Sequence, residues 1–538
     1  MNRLIERMSP EQGTTALAQD RERLENLASA ALRSGRADEA EQALRNLLQA
    51  WPSATGYWLQ LASLLERSNR REEAATCYRD LIERQPDVAV VRFNYACFLR
   101  RRGETDEALR QHQRALDLKI EQPEEVLSNM AVILGERHRH EEARNCLQRA
   151  LNLNSSYIPA LYNLALLQEE FGDRRGALAL FNRILEIDPT YYNALVRITH
   201  ARHIDDAEDP VVKKLRRALR HTNVDGLTRE SLEFALGKAL DDCGQYEEAF
   251  EHFERGNRIK SARLPPYDRA SEEQRTGEII EAFSPEWLAA VEPVSTRKLA
   301  FITGMFRSGS TLFEQVLAAH PQVTPGGEIE YFGQLLQKSQ SPAEAAAASF
   351  PASLAKLDFA RRQQIADGYL EYLDHRYPAS TLVTNKRPEI VSLMGFIAGL
   401  FPNAVFVHTV RDPLDTCLSI YLHQLDSRFS YAADLGNIAH RHRQYQRLVA
   451  HWNPVIGPRI FAASYDEYVI EPERVTRALL DFLGLEWHPG CLEPQKSAKR
   501  VRTESLWQVR EAVYRKSSGR WRNYERQLAP ARQILEGG

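Results

Sequence analysis

The sequence predicts an all-α repeat superhelix followed by an α/β domain built on a central parallel sheet. Three observations carry that expectation. A tripeptide pattern recurs about every 34 residues through the first half. The second half breaks into short apolar runs separated by helical patterns. The first of those runs leads into a loop, G-M-F-R-S-G-S-T, that opens a helix. Bulk properties narrow the remaining classes. With 538 residues the chain has room for several units. Its 27 Gly and 25 Pro are too few for a collagen-like or low-complexity protein. A net charge of −3 lacks the basic excess of a general nucleic-acid binder, although a local basic pocket is compatible with it. The 6 cysteines form no C-x-x-C pair, so neither a disulfide framework nor a zinc site is expected. MNRLIERM has no apolar signal core, and the longest apolar stretch, Leu393 to Phe401, is about half a bilayer span. A cytoplasmic chain with no membrane partner and no metal is the expectation.

The repeats come first along the chain. The phrases DEA, EEA, DEA, EEA and RGA end at Ala40, Ala74, Ala108, Ala143 and Ala177. Four residues on stand Leu44, Tyr78, His112, Leu147 and Phe181; seven on stand Leu47, Leu81, Ala115, Ala150 and Ile184. Small residues followed by larger ones at i+4 and i+7 make one stripe on a helix face. Pro52, Pro86 and Pro189 close three of the units. The pattern resembles the tetratricopeptide repeat. A further copy, GQYEEAFEHF with Ala249 and Phe253, extends the expected array over residues 15–262, its last copies degenerate, after a tail of 1–14. Stacked repeats enclose a groove that suits an extended peptide. The array either binds an acceptor protein or peptide there, or serves to scaffold the second domain or form a homodimer. His138/His140 and His440/His442 are spaced by two, which turns them to different helix faces and argues against metal ligation.

Residues 263–296, with LPPYD and EPVST, read as a connector, and 297–538 as the α/β domain. Leu299 to Thr303 is strand-like and Thr311 to Ala319 helical. Strand, glycine loop and helix together form a phosphate cradle, because backbone N–H groups and the helix dipole converge on an anion. Gly304 and Gly309 have nucleotide P-loop spacing, but Ser310 stands where the loop lysine would be, and Arg307 supplies the charge. A smaller phosphate-bearing donor is thereby favoured over a nucleoside triphosphate.

These residues resemble the sulfotransferases that use 3′-phosphoadenosine 5′-phosphosulfate (PAPS), most closely the tyrosylprotein branch, over about residues 298 to 527. The resemblance implies a 5′-phosphosulfate loop at Arg307, Ser308, Gly309, Ser310 and Thr311. It implies that Arg411, at the end of the Ala404 to Val410 run, and Ser419 hold the 3′-phosphate. The residues agree: a planar guanidinium at a strand's carboxyl end can fork onto phosphate, the alternative being a salt bridge to Asp412 or Asp415. RKSSGRWRN resembles the family segment that closes over the 3′-phosphate and adenosine, so Arg515, Lys516 and Ser517 join the donor set. The resemblance also implies that Tyr465 stands at the position of a donor-contacting tyrosine in the tyrosylprotein branch. The chain departs from the branch at His423, where an arginine is usual, with Arg502 or Arg510 as replacements.

Sulfuryl transfer needs a base for the acceptor proton and a cation for the leaving phosphate. The resemblance implies Glu328 as the base and Lys386 as that cation, both catalytic. The implied function is a PAPS-dependent transfer to a hydroxyl, with a protein or peptide tyrosine as the acceptor. The alternatives are a sulfotransferase for a carbohydrate or small phenol, and a non-catalytic repeat scaffold with a nucleotide-binding domain. Gln337 to Lys356, which includes PAEAAAAS, reads as a small-residue helical insertion over the acceptor site.

Overall fold

A computed structural model describes residues 10–332, 352–378, 381–425, 428–494 and 517–537. The chain divides into two compact units, residues 1–167 and 168–538. In the first unit, consecutive helices run from Pro10–Arg33 through Ala37–Ala50, Thr55–Arg67, Arg71–Arg84 and onward to Ile158–Glu170. The stripe expected from the repeat is buried throughout: Ala40, Leu44, Leu47, Ala74, Tyr78, Leu81, Ala108, His112, Ala115, Ala143, Leu147 and Ala150 all lie in the interior. One turn in each repeat carries a residue in the left-handed region. These are Gly35, Asn69, Gly103 and His138 in this unit, with Gly172 and Gly244 continuing the series in the second. The regular phase of these turns is what reverses each helix onto the one before it.

The second unit begins with helical hairpins that include Arg174–Ile187, Gly226–Asp242 and Tyr246–Arg263. Ala177, Phe181, Ile184, Ala249 and Phe253 are buried at the positions the repeat demands. Within residues 263–296 the chain forms two further helices, Arg269–Ala282 and Pro285–Ala290.

Five parallel strands follow: β1 (Ala300–Gly304), β2 (Val323–Pro325), β3 (Leu382–Lys386), β4 (Val405–Val410) and β5 (Ile460–Ser464), in the order β2-β3-β1-β4-β5. β1 and β3 are buried along their whole length, as strands covered on both faces must be. On one face Ile302, Val407 and Ala463 pack against Phe313, Val316 and Leu317 of the Ser310–Ala318 helix and Leu479, Leu480 and Leu483 of the Pro472–Leu483 helix. On the other, Phe301 stacks on Phe406 and Tyr369. From β1 the chain turns towards β2 and β3; from β4 it turns the other way, to β5. The carboxyl ends of β1 and β4 therefore flank the switch point, where open α/β sheets bind ligands. Among the described residues no helix is long and apolar enough to cross a membrane.

Candidate active site

The register brings the site's segments to one edge. Ile302 pairs with Lys386 and Gly304 with Thr409, so the carboxyl ends of β3, β1 and β4 lie side by side. From β1 the chain turns through Met305 to Gly309 into the Ser310–Ala318 helix. Gly309 caps that helix at φ 99°, and a Cβ there would stand 2.9 Å from the Tyr465 ring, so the position requires glycine. Arg307 also adopts a left-handed φ of 66°, a conformation that costs an L-residue roughly 1–2 kcal/mol. Its guanidinium donates from Nε to Ser419 Oγ (3.1 Å) and from Nη2 to His423 Nε2 (3.1 Å). Ser308 is buried, its Oγ 2.6 Å from both the Met305 carbonyl and Thr409 Oγ1. That hydroxyl is spent shaping the loop. Ser310 and Thr311 begin the helix, where backbone N–H groups have no intrahelical acceptor.

Arg411 follows β4, as its place at the strand end requires. Its guanidinium lies 4.9 Å from the Tyr465 ring centroid and donates to the backbone carbonyls of Arg307 (3.1 Å) and Ser517. Its Nε is buried without a hydrogen-bond partner among the described residues. Asp412 and Asp415 are occupied elsewhere. Asp412 caps the Pro413–Tyr421 helix through the Leu414 and Asp415 N–H groups. Asp415 accepts the Gly519 and Trp521 N–H groups at 2.6 and 2.8 Å. Burial pushes the Asp415 carboxyl up, with Arg411 opposing.

His423 is an acceptor here. Its Nδ1–H donates to the Ser419 carbonyl (2.6 Å), which leaves Nε2 bare to receive Arg307. Burial and the Arg307 charge hold this imidazole well below its ordinary range, hence neutral. His408 is likewise buried against the Tyr445 hydroxyl and pushed down to about 4 by burial. Lys386, the last residue of β3, has a side chain only 3% exposed, and its Nζ donates to Glu328 Oε1 at 2.6 Å. Glu328 itself is 54% exposed, so the pair has a buried cation and an open carboxylate.

The structure thus brings Arg307, Ser308, Gly309, Ser310, Thr311, Arg411, Ser419, Tyr465 and Ser517 around the ends of β1 and β4, and sets the Glu328–Lys386 pair at the end of β3. Arg515, Lys516, Arg502 and Arg510 lie outside the described residues, as do residues 337–351 of the expected insertion. Among the described residues no group of three or more His, Cys, Asp or Glu side chains is placed to hold a metal ion.

Residues 300–489 match the sulfotransferase family, and residues 31–93 and 123–190 match tetratricopeptide repeat families. The chain joins tetratricopeptide repeats to a sulfotransferase domain. An uncharacterised protein of Aquifex aeolicus is 29% identical over 76% of this chain and 54% of its own length. A protein-tyrosine sulfotransferase of Drosophila melanogaster is 28% identical over 37% of this chain and 40% of its own. The chain therefore spans about half the length of these curated relatives, or less. Among solved structures, the sulfotransferase domain of the Synechococcus PCC 7002 olefin synthase is 22% identical over 45% of this chain and 94% of its own, with a TM-score of 0.33.

Sequence reasoning missed several residues that build the sulfotransferase domain's site. Glu314 accepts the Gly327 N–H (3.0 Å) and the Thr384 hydroxyl (3.3 Å) from beneath the Glu328 turn. Asp466 accepts the Asp412 N–H and the Ser518 hydroxyl. Asp241, on the Gly226–Asp242 helix, pairs with Arg520 and accepts the Tyr524 hydroxyl (2.6 Å). Asp466 and Asp241 had a sequence signal through their partners: Ser518 and Arg520 fall within the RKSSGRWRN segment and Tyr524 just beyond it.

Proposed function

We propose that the chain transfers a sulfuryl group from PAPS to an acceptor hydroxyl, that of a tyrosine in a protein or peptide. The observation that carries this reading is the Glu328–Lys386 pair, an exposed carboxylate against a buried ammonium at the sheet edge that also bears the Arg307 loop. A donor with two phosphate centres suits the residues around it. The Arg411 Nε is a buried donor with nothing to bond, Ser419 Oγ lies within hydrogen-bond reach of Arg307, and the helix start at Ser310 offers backbone N–H groups. When bound, the donor supplies the sulfuryl group and a phosphate leaving group. Arg411, Ser419, Tyr465 and the 515–517 segment would hold its 3′-phosphate end, and residues 307–311 its 5′ end.

Glu328 takes the proton that the acceptor hydroxyl gives up, and Lys386 with Arg307 offsets the negative charge that builds on the leaving side. The pairing of Lys386 with Glu328 keeps the base from turning into solvent. The acceptor belongs in the same reading: the protein-tyrosine sulfotransferases among the relatives favour a tyrosine, and repeat grooves in general take proteins or peptides. We also assign residues 15–262 to the repeats, 263–296 to the connector and 297–538 to the transferase part. Transfer of radiolabelled sulfate from the donor to tyrosine peptides, to carbohydrates and to small phenols tests the reading. Labelling of the peptides alone is the expected result, and no transfer to any acceptor by a chain that binds adenosine 3′,5′-bisphosphate would overturn it.

A further inference from the structure

We infer that Glu314 is a positioning residue for the base, holding the Gly326–Gly327–Glu328 turn and the Lys386 end of β3 in one frame. The sequence gives it no such part: in S-T-L-F-E-Q-V-L-A it is one polar residue in an apolar helix. Its burial sets it apart. Glu314 is 3% exposed, and a carboxylate is costly to remove from water unless it is paired and hydrogen-bonded.

Burial pushes the Glu314 carboxyl up, and what opposes it comes from the base's surroundings. The Lys386 charge favours the ionised form, and Oε1 accepts the Gly327 N–H at 3.0 Å and the Thr384 hydroxyl at 3.3 Å. Gly327 is gripped from its other side as well, because its carbonyl accepts the Lys386 N–H at 2.8 Å. Gly326 N–H donates to the Thr384 carbonyl at 2.9 Å. The turn runs through Gly327 at φ 64°, a residue with wide conformational freedom immediately before Glu328. Glu314 restrains that freedom at the Gly327 N–H, beside the Tyr377 hydroxyl, which donates to the Gly326 carbonyl at 3.3 Å. It stands on the helix that opens from the 307–311 loop, so it ties the base and the cation to the element that carries the donor-binding candidates. A misplacement of about 1 Å at a reacting group costs on the order of 10²-fold in rate, which is the scale on which such an anchor acts.

This inference rests on Glu328 being the base, and the test separates the two. In the full-length chain, Glu314→Gln keeps an oxygen for both hydrogen bonds, whereas Glu314→Leu removes them at similar volume. Expected are a 10- to 100-fold lower kcat for Glu314→Leu, a loss of no more than about 3-fold for Glu314→Gln, and adenosine 3′,5′-bisphosphate affinity unchanged in both. The double variant Glu314→Leu/Glu328→Gln should be no slower than Glu328→Gln alone, because one residue acts through the other. Independent, additive losses overturn the inference. So does wild-type kcat in Glu314→Leu, or a fall in bisphosphate affinity that matches the fall in kcat. If Glu328→Gln is impaired and Glu314→Leu is not, this inference alone fails. If Glu328→Gln turns over normally, the assignment of the base fails, and this inference with it. Should Glu314→Leu not fold, Thr384→Val removes one of the anchor's two partners and carries the same cycle with a smaller expected loss, 2- to 5-fold; wild-type kcat there counts against the inference.

Discussion

Arg411 uses one guanidinium to reach two backbone carbonyls and an aromatic face, and keeps Nε in reserve. Arg411→Ala should weaken adenosine 3′,5′-bisphosphate binding by about 1.5–3 kcal/mol, the range for a charge-assisted hydrogen bond, as calorimetry would read. Glu328→Gln should leave that affinity alone and lower turnover by about 10²–10⁴-fold, whereas Lys386→Ala should cost both. The place of these three residues near the sheet edge was legible through the family resemblance, which puts each in a short segment at or just after a strand. Glu314 was not, since its burial depends on β2 and β3 closing over a helix from the far side of a loop. In the repeats, His112 is fully buried beside Phe93, and burial pushes it down to about 4 from 6.5. Its folded value is depressed, so between pH 6.5 and about 4 the unfolded chain takes up a proton that the folded chain refuses. Stability is therefore full above 6.5 and falls as the pH drops, by on the order of 3 kcal/mol. His112→Leu should narrow the gap between urea midpoints measured at pH 7.5 and pH 5.

Helices and strands were easier to read than single contacts, because periodicity survives in sequence. The 34-residue phase located the buried stripe on one helix in each of five repeats, and the apolar runs located β1 and β4 to within a residue. The turns hold a feature that the tripeptides did not announce. Where Gly35, Gly103 and Gly172 occupy the left-handed position, the fourth repeat places His138 at φ 61°. His138→Gly should raise the stability of the array by about 0.5–1 kcal/mol, the strain relieved less the extra chain entropy of glycine. Gly103→Val should do the reverse, since a β-branched side chain fits that region worst. Thermal unfolding of the helical signal reads both. The loop between β1 and the Ser310–Ala318 helix follows the same rule with the opposite consequence. Its left-handed Arg307 is strain held in place by Ser419 and His423, the kind of local cost that is found at functional sites.

Across the second unit, helices that the sequence assigns to the repeats pack against residues of the α/β domain. Phe250 stacks on Tyr421 at 5.4 Å and meets Tyr524 at 6.0 Å, and Asn257 donates to the Tyr421 carbonyl at 2.9 Å. Asp241 holds Arg520 and Tyr524. Asp241→Ala should loosen the C-terminal segment, so that limited proteolysis near residues 517–524 speeds up while the remainder of the unit stays protected. Since Ser517 bonds Arg411, bisphosphate affinity should fall with it. None of this could be read locally, for the partners stand more than 160 residues apart.

The Asp241 clasp also bears on how such a chain can be rearranged. A boundary drawn where the repeat pattern ends would pull Tyr246, Phe250 and Asn257 away from Tyr421 and Tyr524 and bare aromatic surface that is covered in the intact chain. The α/β domain is therefore not a portable module. It can be grafted onto another repeat array only if the last two hairpin helices travel with it, and changes in array length belong among the repeats of the first compact unit, before residue 168.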